Sequence, residues 1–196
     1  VTHLINPTID SRQMQVIAGT ILGGSSIIKP TRGKNCYLSM RSKDGLWLDH
    51  KAAELSSLAS SEPVTIEKTN RWHSLCYPIF NDFRTKFYKG KKRKLRKENL
   101  DPLKDVAWAV WFGDCGKMDK GRVVLNTHIW KEDSNLIANY FRECGFECEV
   151  IKERGNFRIR LEDLYSKQFL ALVMPHLPPF MVHRLANPSG TSSSGQ

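Results

Sequence analysis

Three features of this 196-residue chain predict an α+β fold built from two pseudo-symmetric halves. Two apolar, helix-like runs, at 16–27 and 108–117, carry small residues inside and close on a glycine-containing turn. After each run the same order of elements recurs at similar spacing: an alternating strand, a helix, a hairpin and a closing helix. The charge is lopsided, with 30 Lys+Arg against 20 Asp+Glu and a formal net charge of +10.

The first half spans 16–88. Its opening helix covers 16–24, and 35–42 then alternate as a strand, with Cys36, Leu38 and Met40 on one face and Asn35, Tyr37, Ser39 and Arg41 on the other. A helix follows over 46–59, where Leu48, Ala52, Leu55 and Ala59 share a face. Residues 64–68 and 71–75 read as a short hairpin turning at Thr69-Asn70, and 78–88 as the closing helix. The second half spans 103–186. It has a helix at 103–114, a strand at 122–129 and a helix at 133–144. Strands at 146–152 and 157–161 join at Arg154-Gly155-Asn156, and a helix over 164–173 stops before Pro175. Residues 1–15 form an N-terminal extension, 89–102 a basic linker, and 187–196 a Ser/Gly/Pro-rich tail expected to be disordered.

Hydrophobic residues at 40% and charged residues at 26% exclude wholesale disorder. No apolar run reaches the length of a membrane span, and 1–15 lacks the basic start and apolar middle of a signal peptide. Five cysteines, odd in number and sparse, predict a reducing intracellular compartment rather than a disulfide scaffold. Cys144 and Cys148 have no second pair at zinc-finger spacing and read as a turn with buried thiols.

The basic surplus points to a polyanionic partner, because neutralised phosphates release counterions. Side chains two apart on a strand share a face and can reach successive base edges, Arg suiting guanine and Asn adenine. Arg122, Asn126 and His128 form one such row, Asn156, Arg158 and Arg160 another, and Asn35, Ser39 and Arg41 a third in the first half. Such rows would also serve as plain solvated strand faces; their recurrence in both halves, with the net charge, favours nucleic acid. The run from Lys89 to Lys97, with Lys91, Lys92 and Arg93 at its centre, is expected near the junction of the halves, where phosphates would pass.

Several segments carry a family likeness: Ala18-Gly19 and Leu22-Gly23 with Ser25 and Ser26, Phe87-Tyr88-Lys89-Gly90, Leu100-Asp101-Pro102-Leu103, Trp111-Phe112-Gly113-Asp114-Cys115-Gly116, Val124-Leu125-Asn126-Thr127 and Leu177–Leu185. Through them the chain, from about Val16 to Leu185, resembles the LAGLIDADG homing endonucleases in their single-chain form. The resemblance implies two αββαββα halves forming an antiparallel saddle on double-stranded DNA. It also implies a monomer, and site-specific cleavage or nicking with magnesium or manganese. The small residues Ala18, Gly19 and Ala109 then fit tight packing of the two element helices. In the family each of these helices ends in a carboxylate, and here the two positions fall on Gly24 and Cys115, with Asp114 one residue early. The candidate metal set is therefore Asp114, Cys115 and the carbonyls of Gly23 and Gly24. Candidate catalytic residues are Asp114, Lys94 and Arg184, the last two at the family's basic positions. Because these positions depart from pattern, a catalytically inactive DNA- or RNA-binding protein stands as the alternative, such as an intron maturase or a ribonucleoprotein component.

Overall fold

The computed structural model describes residues 7–59, 61–153 and 155–186, with main chain alone at 128–129 and 183–186. The proposed tail, 187–196, and Arg154 lie outside the described residues. Helix α1 (Ser11–Leu22) starts ahead of the expected residue 16 because Asp10 caps it. Gln13 N donates to Asp10 Oδ1 at 2.7 Å and Asp10 N to Gln13 Oε1 at 3.3 Å, a reciprocal capping box. Every residue from Val16 to Leu22 is buried, as expected of a helix enclosed by both halves rather than lying on one.

The rest of the first half runs β1 (Ser26–Ile28), β2 (Tyr37–Ser42), α2 (Gly45–Glu54), β3 (Val64–Ile66), β4 (Thr69–His73) and α3 (Ile79–Phe87). Helix α2 ends at Glu54, and a 3-10 turn over Ser56–Leu58 carries the apolar face onward, in place of one helix to residue 59. The β3–β4 hairpin turns at Glu67-Lys68, with φ of 49° and 62°, and not at Thr69-Asn70. Thr69 and Asn70 pair with Ile66 and Thr65, and the Asn70 side chain accepts from Thr65 Oγ1 at 2.7 Å. A residue type suited to turns was thus used inside a strand.

The stretch read as a linker is structured. Strands β5 (Tyr88–Lys89) and β6 (Lys92–Arg93) make a small hairpin, and α4 (Lys97–Leu100) follows. The second half then repeats the first as α5 (Asp105–Cys115), β7 (Gly116–Asp119), β8 (Arg122–Asn126), α6 (Ser134–Glu143), β9 (Cys148–Glu153), β10 (Asn156–Leu161) and α7 (Asp163–Val173), with α8 (Pro179–Ala186) behind it. Strand β8 stops at Asn126, and His128 begins a 3-10 turn instead of extending the strand.

Each half is αββαββα, and each sheet is four-stranded and antiparallel, in the orders β1-β2-β4-β3 and β7-β8-β10-β9. The short first strands, β1 and β7, escape a search for alternation because three or four residues carry too little pattern. One continuous apolar core joins the halves, from Val16 and Ile21 through Trp111 and Phe112 to Phe141 and Phe169. Helices α1 and α5 cross at its centre at close range: a Cβ on Gly19 would lie 2.4 Å from the Ala107 carbonyl oxygen.

Candidate nucleic-acid interface

The register of the first sheet decides which side chains share its open face. Leu38 and Met40 are fully buried, so Tyr37, Ser39 and Arg41 face the other way. Ser39 pairs with His73 and Arg41 with Arg71, which puts two further basic residues into the row. Arg41 and Arg71 have no carboxylate partner among the described residues. Burial, with Arg41 and Arg71 beside it, holds His73 below the usual imidazole range. Ser39 is itself only 5% exposed, lodged between β1 and β4. Asn35 lies before β2, and its side-chain oxygen accepts from Asn81 of α3 at 3.1 Å, which ties it away from the row. Sequence reasoning missed Arg71 and His73, although their alternation around buried Trp72 was a readable signal.

The second sheet presents Arg122, Asn126, Asn156, Arg158 and Arg160 on one face, with Arg158 opposite Asn126 and Arg160 opposite Val124. All three arginines are held by acids. Arg122 pairs with Asp163 at 2.5 Å, Arg160 with Glu149 at 2.7 Å, and Arg158 with Glu153. The side chains of His128 and Arg184 lie outside the described residues. Lys91 and Lys92 project from the β5–β6 hairpin into solvent.

Arg93 turns inward instead. Its guanidinium donates to the carbonyls of Ile21 at 3.2 Å and Gly24 at 2.9 Å and to Ser26 Oγ at 2.9 Å, between the rings of Tyr88 and Trp130. Lys94 pairs with Asp133 at 2.6 Å at the start of α6. The hydrogen bond to Asp133, then its charge, raises the Lys94 ammonium above its usual range.

The ends of α1 and α5 meet beneath the saddle, beside a cavity of about 520 Å³ lined by Gly23, Gly24, Arg41, Lys43, Trp47 and Asp114. Helix α1 stops in a Schellman turn. Ser25 N donates to Thr20 O at 3.0 Å and Gly24 N to Ile21 O at 3.2 Å, with Gly24 at φ +127°. An L-residue rarely adopts that φ, so Gly24, where the resemblance would place a carboxylate, has a backbone shaped for glycine. At the other end, Asp114 Oδ1 accepts from Trp47 Nε1 at 2.7 Å and Lys51 Nζ at 2.5 Å, both on α2 of the opposite half. Asp114 Oδ2 is buried without a hydrogen-bond partner, packed against Gly23 so closely that a Cβ there would lie 2.4 Å away. Desolvation, then the Asp114 charge, pushes the Cys115 thiol up to about 12, and its Sγ donates to Trp111 O at 3.4 Å.

This donor set does not fit a divalent cation. Magnesium and manganese need accessible oxygens with room for waters. Here one Asp114 oxygen is taken by an ammonium and an indole, the other is sealed under Gly23, Gly24 has no side chain, and Cys115 stays a protonated soft donor. The Gly24 carbonyl faces Arg93. Lys51 is the residue that sequence reasoning missed here. It sits three positions after Leu48, a lysine on the apolar stripe of α2, and it is 1% exposed.

A search of curated proteins finds no match to the chain. Among solved structures, the homing endonuclease I-WcaI bound to its DNA recognition sequence is similar, with a TM-score of 0.84, 22% identity, and 91% of this chain and 88% of that one covered. I-DmoI in complex with its target DNA, nicked in the coding strand and with manganese present, gives 0.59 at 13% identity, covering 86% and 98%. The N-terminal LAGLIDADG domain of WhiA gives 0.55 at 14%, covering 92% and 90%. These likenesses concern the fold. The pattern of the LAGLIDADG DNA endonuclease family matches residues 14–169, most of the length, and the chain belongs to that family.

Proposed function

We propose that this protein grips double-stranded DNA on its saddle, as a monomer reading one long asymmetric site, and holds it without hydrolysis. The observation that carries this is the state of the two helix ends: neither offers an open carboxylate, while the sheet faces above them keep arginine and asparagine side chains at the spacing of base edges. The family supplies the duplex as partner, and the fold likeness to proteins solved with DNA supports the saddle as the contact surface. In this reading Asn126, Arg158 and Arg160 of the second sheet read bases, while Arg41 and Arg71 of the first sheet and Lys91 and Lys92 of the β5–β6 hairpin attract and position the phosphate backbone. Asp114 and Lys94 serve the architecture, because Asp114 is buried against Lys51, and Lys94 fastens the end of the β5–β6 hairpin to the buried carboxylate of Asp133.

The test is selection from a randomised duplex library, followed by binding and nicking assays with magnesium, manganese or a chelator. Site-specific binding that survives chelation, with no strand cut, is the expected result. Metal-dependent cutting that Asp114→Asn abolishes would restore the endonuclease reading. A preference for structured RNA over every duplex would instead favour a maturase-like role.

A further inference from the structure

Each of the two helix ends beneath the saddle holds a cation that the chain itself supplies. At the end of α1 the Arg93 guanidinium bonds the carbonyls of Ile21 and Gly24, and burial lowers its affinity for a proton. At the end of α5 the Lys51 ammonium, with its side chain 2% exposed, lies 2.5 Å from Asp114 Oδ1. Helix C-termini carry a partial negative charge, and two of them converge here with a buried carboxylate, directly under the surface assigned to a polyanion. Left alone, that charge would repel phosphates and strain the packing of the two halves.

We propose that Lys51, seconded by Arg93, is the resident counter-cation of this site. It does the electrostatic work that a divalent ion would do, and so makes both the helix crossing and the saddle indifferent to metal. The location explains why a lysine is tolerated in a core. Lys51 reaches across the boundary between halves to Asp114, Trp47 from the same helix shares the acceptor, and the Gly113 position leaves room for the Trp47 ring, which a Cβ there would meet at 2.5 Å. Gly23 in turn seals the second oxygen, so water does not compete for it. The assignment rests on the reading of the saddle as a duplex-holding surface only for its consequence on DNA. The cation itself is testable in the free protein.

The experiment measures thermal unfolding and manganese binding (by electron paramagnetic resonance) of the full chain, for the wild type, Lys51→Met, Asp114→Asn and Lys51→Met with Asp114→Asn. Wild type is expected to bind no manganese at this site and to keep its midpoint when manganese is added. Lys51→Met leaves a bare buried carboxylate and should lower the midpoint by roughly 10 °C. Manganese should then bind and recover part of the loss, and the double variant should recover stability without any metal response. Three results would overturn the proposal: wild-type manganese binding that Asp114→Asn removes, a Lys51→Met protein as stable as wild type, or a loss that neither manganese nor the second substitution relieves. If Lys51→Met does not fold, a folded double variant supports charge compensation and an unfolded one refutes it. Failure of the duplex reading would show separately, as absent DNA affinity in a wild-type protein that still ignores manganese.

Discussion

At the residue scale, the centre of the molecule is organised by what glycine permits. Gly23 lies under the Asp114 carboxylate, so Gly23→Ala must displace either the acid or helix α1. The substitution is expected to cost about 1–3 kcal/mol in urea denaturation, the range for forcing volume into a packed site. Cys115 makes a second prediction. Its thiol ionises near 9 when unfolded and at about 12 in the fold, so the folded state holds that proton more tightly. Its contribution to stability is whole below pH 9 and lost as pH rises from 9 towards 12, by up to about 1.4 kcal/mol per pH unit. Stability measured across that window should fall less steeply in Cys115→Ala. Alkylation of native protein near pH 8 should likewise reach the exposed Cys144 well before Cys115.

At the scale of elements, the two sheets differ in electrical state although their topology is the same. Among the described residues, the β2–β4 face carries Arg41 and Arg71 without acids, whereas Arg122, Arg158 and Arg160 on the β8–β10 face are each matched by a carboxylate. The first sheet is therefore expected to dominate phosphate attraction and the second to discriminate, since its arginines must exchange one acceptor for another on binding. Removing Arg41 and Arg71 together should flatten the salt dependence of DNA affinity, by about 0.9 in logarithmic slope for each phosphate left unneutralised. Glu149→Gln with Glu153→Gln should do the opposite, tightening binding to unrelated duplexes and narrowing the gap between specific and non-specific affinity. Fluorescence anisotropy across a salt series measures both. The alternation that revealed β2 and β10 was legible because the apolar residues of each, Leu38 and Met40 or Ile159 and Leu161, are buried on one face. The acids that meet the arginines were not, because they come from β9 and α7 and are paired only by tertiary register.

For the whole molecule, α1 and α5 supply one core to both halves, and the β5–β6 hairpin fastens to the end of α1 through Arg93. Neither half can bury its central helix alone. Unfolding is therefore expected as a single transition in calorimetry, with its midpoint unchanged by chelators. Two separable transitions would show that the halves are independent domains. Arg93→Ala, which removes three hydrogen bonds at once, should lower that one midpoint rather than split it.

Taken alone, the sequence determined the two apolar helices, the longer strands and helices that follow each of them, and through its motifs the family. Those follow from local periodicity and residue identity, which the chain carries along its length. Only the tertiary structure decided what became of the site. It brought Lys51 and Trp47 of one half onto Asp114 of the other, turned Arg93 out of the basic run and onto the end of α1, and set Lys94 on Asp133. Ion pairs between residues dozens of positions apart leave no periodic trace. A buried lysine in an apolar stripe is a hint, but its partner is fixed only when the two halves close.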